Sequence, residues 1–115
     1  MIIGIDYGLK HCGLSASDNG VIARPLSTTT VDKVLSELEK LDPELIVVGI
    51  SEGKMKQRTL GFVKSIKKML RLPVEVVDET LTSLEAEGTN KDKNRQHAVA
   101  AAVILQRYLD TKEDV

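Results

Sequence analysis

Apolar residues along this chain change period several times, and each change coincides with a turn or cap signal. Ile2-Ile3-Gly4-Ile5 is a short apolar run ending in Asp6, the signature of a buried strand. Cys12, Leu14 and Ala16 then alternate with Gly13, Ser15 and Ser17, the period-two pattern of a half-buried strand. Asp18-Asn19-Gly20 predicts a tight hairpin turn, after which Val21-Ile22-Ala23 begins the return strand. Pro25 ends that strand or places it at an edge. Thr28-Thr29-Thr30 can cap a helix carrying Val31, Val34, Leu35, Leu38 and Leu41, which Asp42-Pro43 stops.

The continuous run Leu45 to Ile50 predicts a strand buried on both faces. Phe62, Val63, Ile66, Met69 and Leu70 form the stripe of a second helix, with basic residues mainly on its other side. Val74, Val76 and Val77 make a further strand ending in Asp78-Glu79. Thr82-Ser83-Leu84-Glu85 has the capping-box pattern of a short helix, and Gly88 to Asn94 is a polar loop. The last helix runs from about Gln96 to Asp110 and is apolar nearly all round its middle, so it should be buried. With right-handed crossovers, these elements predict an α/β domain: a five-stranded mixed sheet, an antiparallel meander plus two parallel strands, flanked by helices. It occupies residues 1–110, with 111–115 as a polar tail. Open sheets of this kind bind ligands at strand carboxyl ends, where Asp6 and Glu79 both lie.

Composition narrows the class. The single cysteine, Cys12, excludes an internal disulfide framework and a zinc cluster and fits a reducing cytosol. No signal peptide is visible, and no apolar stretch approaches the roughly 20 residues that span a bilayer, so a cytoplasmic protein without membrane partners is expected. The net charge of −1 hides an uneven distribution: acids outnumber bases 8 to 4 in residues 1–53 and 9 to 5 in residues 72–115. Between them, Lys54, Lys56, Arg58, Lys64, Lys67, Lys68 and Arg71 occur with no acid. A basic stripe beside acidic clusters fits a protein that holds a nucleic-acid backbone while presenting carboxylates to a metal. Aromatic content of 3% argues against recognition by base stacking.

The chemistry points the same way. An aspartate at the end of a buried strand is costly unless a cation uses its charge, and the glycines after Asp6 let a polyanion approach the backbone. Asp-x-Gly followed by a polar hairpin also opens the actin-like kinases and ATPases, but those need a second lobe that 115 residues cannot supply.

Three blocks give a more specific likeness: residues 4–18, beginning Gly4-Ile5-Asp6-Tyr7-Gly8; residues 46–53, Ile46 to Gly53; and residues 72–86 with 100–106, including Asp78-Glu79-Thr80. In this order they resemble the YqgF/RuvX family, Holliday-junction-resolvase-like nucleases with a ribonuclease-H-like fold. The resemblance implies 5′-end maturation of the small-subunit (16S) ribosomal RNA precursor, or resolution of branched DNA. It places the family's first two acidic positions on Asp6 and Glu79. The third, normally an aspartate opening the last helix, falls on His97, and the loops after Ile50 and before His97 are shorter than the family usually has.

The expected site is therefore Asp6, Glu79 and His97, as metal ligands and catalytic groups around Mg²⁺ or Mn²⁺. Imidazole suits softer ions better than Mg²⁺. Lys10, Lys54, Lys56 and Arg58 are the expected phosphate contacts, and the chain is expected to be a monomer or weak homodimer. The rival readings are structural: Asp6 bonded to amides near Gly8, Glu79 a surface residue before a cap, His97 a helix-start histidine bonded to a neighbour. Cys12 reads as core and His11 as a solvent-facing strand residue. With its third carboxylate missing, a non-catalytic nucleic-acid or ribosome-assembly module is the alternative function.

Overall fold

The computed structural model describes residues 1–78 and 93–113. Its elements are β1 (Ile2–Tyr7), β2 (His11–Ser17), β3 (Arg24–Thr30), α1 (Val34–Leu41), β4 (Leu45–Ile50), α2 (Lys56–Met69), β5 (Val74–Asp78) and α3 (Lys93–Glu113). The strands form one sheet in the order β3-β2-β1-β4-β5. Both β1–β2 and β2–β3 are antiparallel, whereas β4 runs parallel to β1 and β5 parallel to β4. This is the mixed sheet expected from the pattern.

Alternation along the central strands sorts the core into two layers. Ile3, Ile5, Leu14, Ile46 and Val48 pack against Val34 and Leu38 of α1 and Phe62, Val63 and Ile66 of α2. Ile2 and Val47 pack instead against Ile104, Leu105 and Leu109 of α3. Three small residues let α3 lie close to the sheet. A Cβ on Gly4 would stand 2.5 Å from Ser15 Oγ and 2.9 Å from the Ala101 carbonyl oxygen, and one on Gly13 would overlap the His97 carbonyl. The buried Ser15 hydroxyl donates to the Ala101 carbonyl at 2.7 Å, with the Gly4 carbonyl at 3.3 Å. Helix backbone thus rests on strand backbone, with a hydroxyl bridging them.

Several boundaries differ from the pattern. The Asn19-Gly20 segment is a wider loop: Asn19 Oδ1 accepts from the amides of Val21 and Ile22, and Ser17 Oγ from that of Gly20. The Gln106 side chain then binds the Ala23 amide and the Val21 carbonyl, both at 2.8 Å, so β3 starts only at Arg24. Pro25 lies within this edge strand, next to a bulge opposite Leu14 and Ser15. Thr28 to Thr30 belong to β3 rather than to a cap, as their β-branched character favours, and Lys33 precedes α1 without a side-chain cap bond. In α2, Met69 is 67% exposed and Thr59 takes the inward position, its hydroxyl donating to the Met55 carbonyl. Helix α3 extends to Glu113, through part of the expected tail, and already contains Lys93 and Asn94. The capping box at Thr82 lies outside the described residues.

Gly4→Ala should cost on the order of 3 kcal/mol, because rigid backbone and Leu105 Cβ, not a flexible side-chain tip, must give way. Chemical denaturation of the variant would check this, and a loss below about 1 kcal/mol would mean that α3 is free to lift.

Candidate active site

Asp6 is the penultimate residue of β1, near the carboxyl edge of the sheet on the α3 face, opposite Gly13 of β2. Because Gly13 has no side chain, the start of α3 reaches the sheet beside it. The register and that contact together carry His97 to Asp6, with Nδ1 3.8 Å from Oδ2. Their side chains are 37% and 23% exposed, open enough to meet a substrate yet backed by protein. At 3.8 Å the pair is too long for a hydrogen bond. Two donors on one octahedral ion with bonds of about 2.1 Å stand about 3 Å apart, so a shift of about 1 Å would let both hold one cation. A carboxylate with an imidazole suits a divalent ion of the Mn²⁺ or Mg²⁺ kind, the imidazole favouring the former. Among the described residues, no three His, Cys, Asp or Glu side chains form a ready-made metal cluster. Glu79, the expected second carboxylate, lies outside the described residues, directly after β5. The β5 terminus is tied to the helix that carries His97, since Arg107 Nη1 donates to the Asp78 carbonyl at 3.2 Å.

His11 is exposed, as expected, but it is not isolated. Its ring stacks near that of His97, with centroids 6.0 Å apart and planes 25° from parallel. The signal was present in the sequence: His11 shares the parity of Gly13 and Ser15, whose face of β2 receives α3.

The four expected phosphate contacts divide. Lys10 is exposed in the turn before β2, which its own carbonyl fastens by accepting from the Val31 amide. Lys54 is exposed in the link from β4 into α2, and Lys56 opens that helix and pairs with Glu52 at 3.0 Å. Arg58 is exposed on α2 and close enough to Tyr7 to influence its phenol. Tyr7 itself stacks on Phe62 at 4.2 Å, on the sheet face opposite Asp6. These cations and the Asp6–His97 pair therefore approach one edge of the sheet from its two sides.

Comparison with known proteins identifies the family and the fold. The family model "RuvX: Holliday junction resolvase" matches residues 1–111. A "Putative pre-16S rRNA nuclease" of Rippkaea orientalis is 34% identical over 132 residues, covering 96% of this chain and 95% of that protein. One so named from Bacteroides fragilis is 34% identical over 133 residues, covering 96% of each. Both matches are longer than this whole chain, consistent with shortened loops here. Among solved structures, RuvC of T. thermophilus in complex with Holliday junction substrate superposes with TM-score 0.61 at 18% identity, over 97% of this chain and 95% of that one. Fowlpox virus resolvase with its Holliday junction DNA gives 0.63 at 12% identity, over 96% and 97%. The fold is ribonuclease-H-like.

Cys12, beside this site in sequence, is no nucleophile. Burial pushes its thiol up to about 11; a Gly8 backbone hydrogen bond works against the rise and the Asp6 charge adds to it. The Tyr7 phenol is raised too, first by burial, then by Cys12, with Arg58 pulling it partly back. A raised folded value means stability is complete below the thiol's ordinary 9.0 and is lost as pH climbs to about 11. Unfolding titrations should show that loss, with a limiting slope of about 1.4 kcal/mol per pH unit from this group. Cys12→Ala should flatten it, and an unchanged slope in that variant would assign the loss elsewhere.

Proposed function

The chain belongs to the RuvX Holliday junction resolvase family, and on that premise we propose that it is a divalent-metal-dependent endonuclease hydrolysing phosphodiester bonds in structured nucleic acid. The favoured substrate is the 5′ end of the small-subunit (16S) ribosomal RNA precursor, which the names of its relatives support. Branched DNA is the second substrate class, favoured by the family description and by the substrates in the two structural neighbours. The observation that carries the reading is the Asp6–His97 pair at the carboxyl edge of a ribonuclease-H-like sheet.

In this reading Asp6 and His97, with Glu79 from the sequence pattern, hold Mg²⁺ or Mn²⁺. Such an ion, when bound, lowers the pKa of a water nucleophile and offsets charge developing on the phosphoryl oxygens. Asp6 also orients the imidazole of His97 through its charge, and Gly13 keeps that imidazole from drifting by holding the helix backbone down. Lys10 and Arg58 take flanking phosphates, with Lys54 in the β4–α2 link and Lys56 at the start of α2 extending that contact. Residues 1–110 act as one domain, cytoplasmic and monomeric or weakly dimeric. Within the described residues, no helix is long and apolar enough to cross a membrane.

The imidazole at the third ligand position favours one competing reading, a binding module whose site no longer cleaves. A cleavage assay of 16S precursor beside a four-way junction, with Mg²⁺ and Mn²⁺ in parallel, separates the three. Asp6→Asn should lower Mn²⁺-dependent cleavage by more than about 100-fold, beyond the usual cost of outer-shell changes, while leaving binding intact. His97→Asp should raise Mg²⁺-dependent cleavage by restoring an oxygen donor. No cleavage of either substrate in either metal, with binding retained, would select the binding module.

A further inference from the structure

Helix α2 contains two residues that the fold itself does not account for. Gly61 sits in its middle, on the outer side, where an added Cβ would meet nothing within 4 Å. A glycine in a helix interior is less stable than alanine, so a position with free space for a side chain gains nothing from it structurally. Arg71, just beyond the helix end, has a left-handed backbone with φ of 56°. Glycine is the usual residue there, because any Cβ is strained in that conformation. The chain thus has glycine where alanine would stabilise the helix, and arginine where glycine would relieve its end.

Both oddities lie in the acid-free segment. Arg58, Lys64 and Lys68 stand at i−3, i+3 and i+7 from Gly61, on its side of the helix, and all three are exposed. Arg71 is exposed as well, and among the described residues Arg58, Lys64, Lys68 and Arg71 enter no salt bridge. The helix dipole gives a structural reason for cations in the last turn, Lys67 and Lys68. It gives none for Gly61, for Lys64 or for a strained arginine.

We propose that the outer side of α2 is a second nucleic-acid surface, on which the sugar–phosphate backbone of a duplex arm lies in the notch at Gly61, flanked by Arg58, Lys64, Lys68 and Arg71. The inference rests on the nuclease reading for its ligand class and extends it to a part of the substrate that is not cut. Helix α2 starts at the edge where Asp6 lies and runs away from it on the opposite face of the sheet. A substrate engaging both must bend over that edge, which a stem with a single-stranded flank or a branched duplex can do. From Arg58 to Lys68 the helix rises about 15 Å, matching about four phosphates of one strand in a duplex.

The test measures binding of two probes to the full chain carrying Asp6→Asn, which prevents cutting: an RNA stem-loop with a single-stranded flank, and the flank alone. Gly61→Ala and Arg71→Gly are each expected to raise the melting temperature yet weaken stem-loop binding roughly fivefold. The paired change Lys64→Gln with Lys68→Gln should reduce the salt dependence of stem-loop binding by about two in slope. Binding of the flank alone should stay at the parental level in all three. Stabilised variants that bind the stem-loop with parental affinity and salt slope would overturn the second surface and leave the nuclease reading standing. Absence of nucleic-acid binding by the parent chain would overturn both.

Discussion

The close approach of one helix to the sheet governs the rest of this structure. Helix α3 lies against β1 and β2 with almost nothing between the backbones, because Gly4 and Gly13 leave room and Ser15 supplies a hydrogen bond in place of bulk. A larger residue at either glycine would lift the helix by an atom's width, and His97 would move with it. The site depends on this packing more than on any bond between its own members. Asp6 and His97 come from positions 91 residues apart, and no hydrogen bond links them. What fixes their separation is register on one side and helix depth on the other.

The same packing explains how the charges are arranged. Carboxylate and imidazole occupy the α3 face, and the basic segment occupies the α1–α2 face. Among the described residues the two meet along the carboxyl edge, where Asp6, the β4–α2 link and the turn at Lys10 come together. A protein with a net charge of −1 can in this way carry a concentrated basic surface without surrounding the Asp6 carboxylate with cations.

The architecture was readable because its signals are local: an apolar run for β4, alternation for β2, helical spacing for α1 and α3. The site was readable in part. Asp6 could be placed from its strand end, and His97 through a family resemblance. His11 is exposed as expected, but its nearness to the His97 ring depends on which face of β2 the helix covers, which a local pattern does not give. The loop after Ser17 is wider than a tight hairpin because Asn19 Oδ1 takes two amides beyond it, whereas the start of β3 is set by Gln106, more than eighty residues away. No local pattern carries the latter. In α2 the difference has a local cause: Met69 is exposed, and Thr59 is buried because its hydroxyl donates to a carbonyl one turn back. Glu79 still rests on the sequence.

One further consequence concerns the margin of the sheet. Among the described residues strand β3 pairs with a strand on one side only, and an unpaired strand edge is a template on which other chains can polymerise. Here the outermost strand contains Pro25, which has no amide hydrogen to offer, beside a bulge that breaks the regular spacing of its donors and acceptors. A ladder continued onto that margin would be interrupted within a few residues. The proline that marks an edge strand in the sequence therefore acts as a guard against edge-to-edge aggregation.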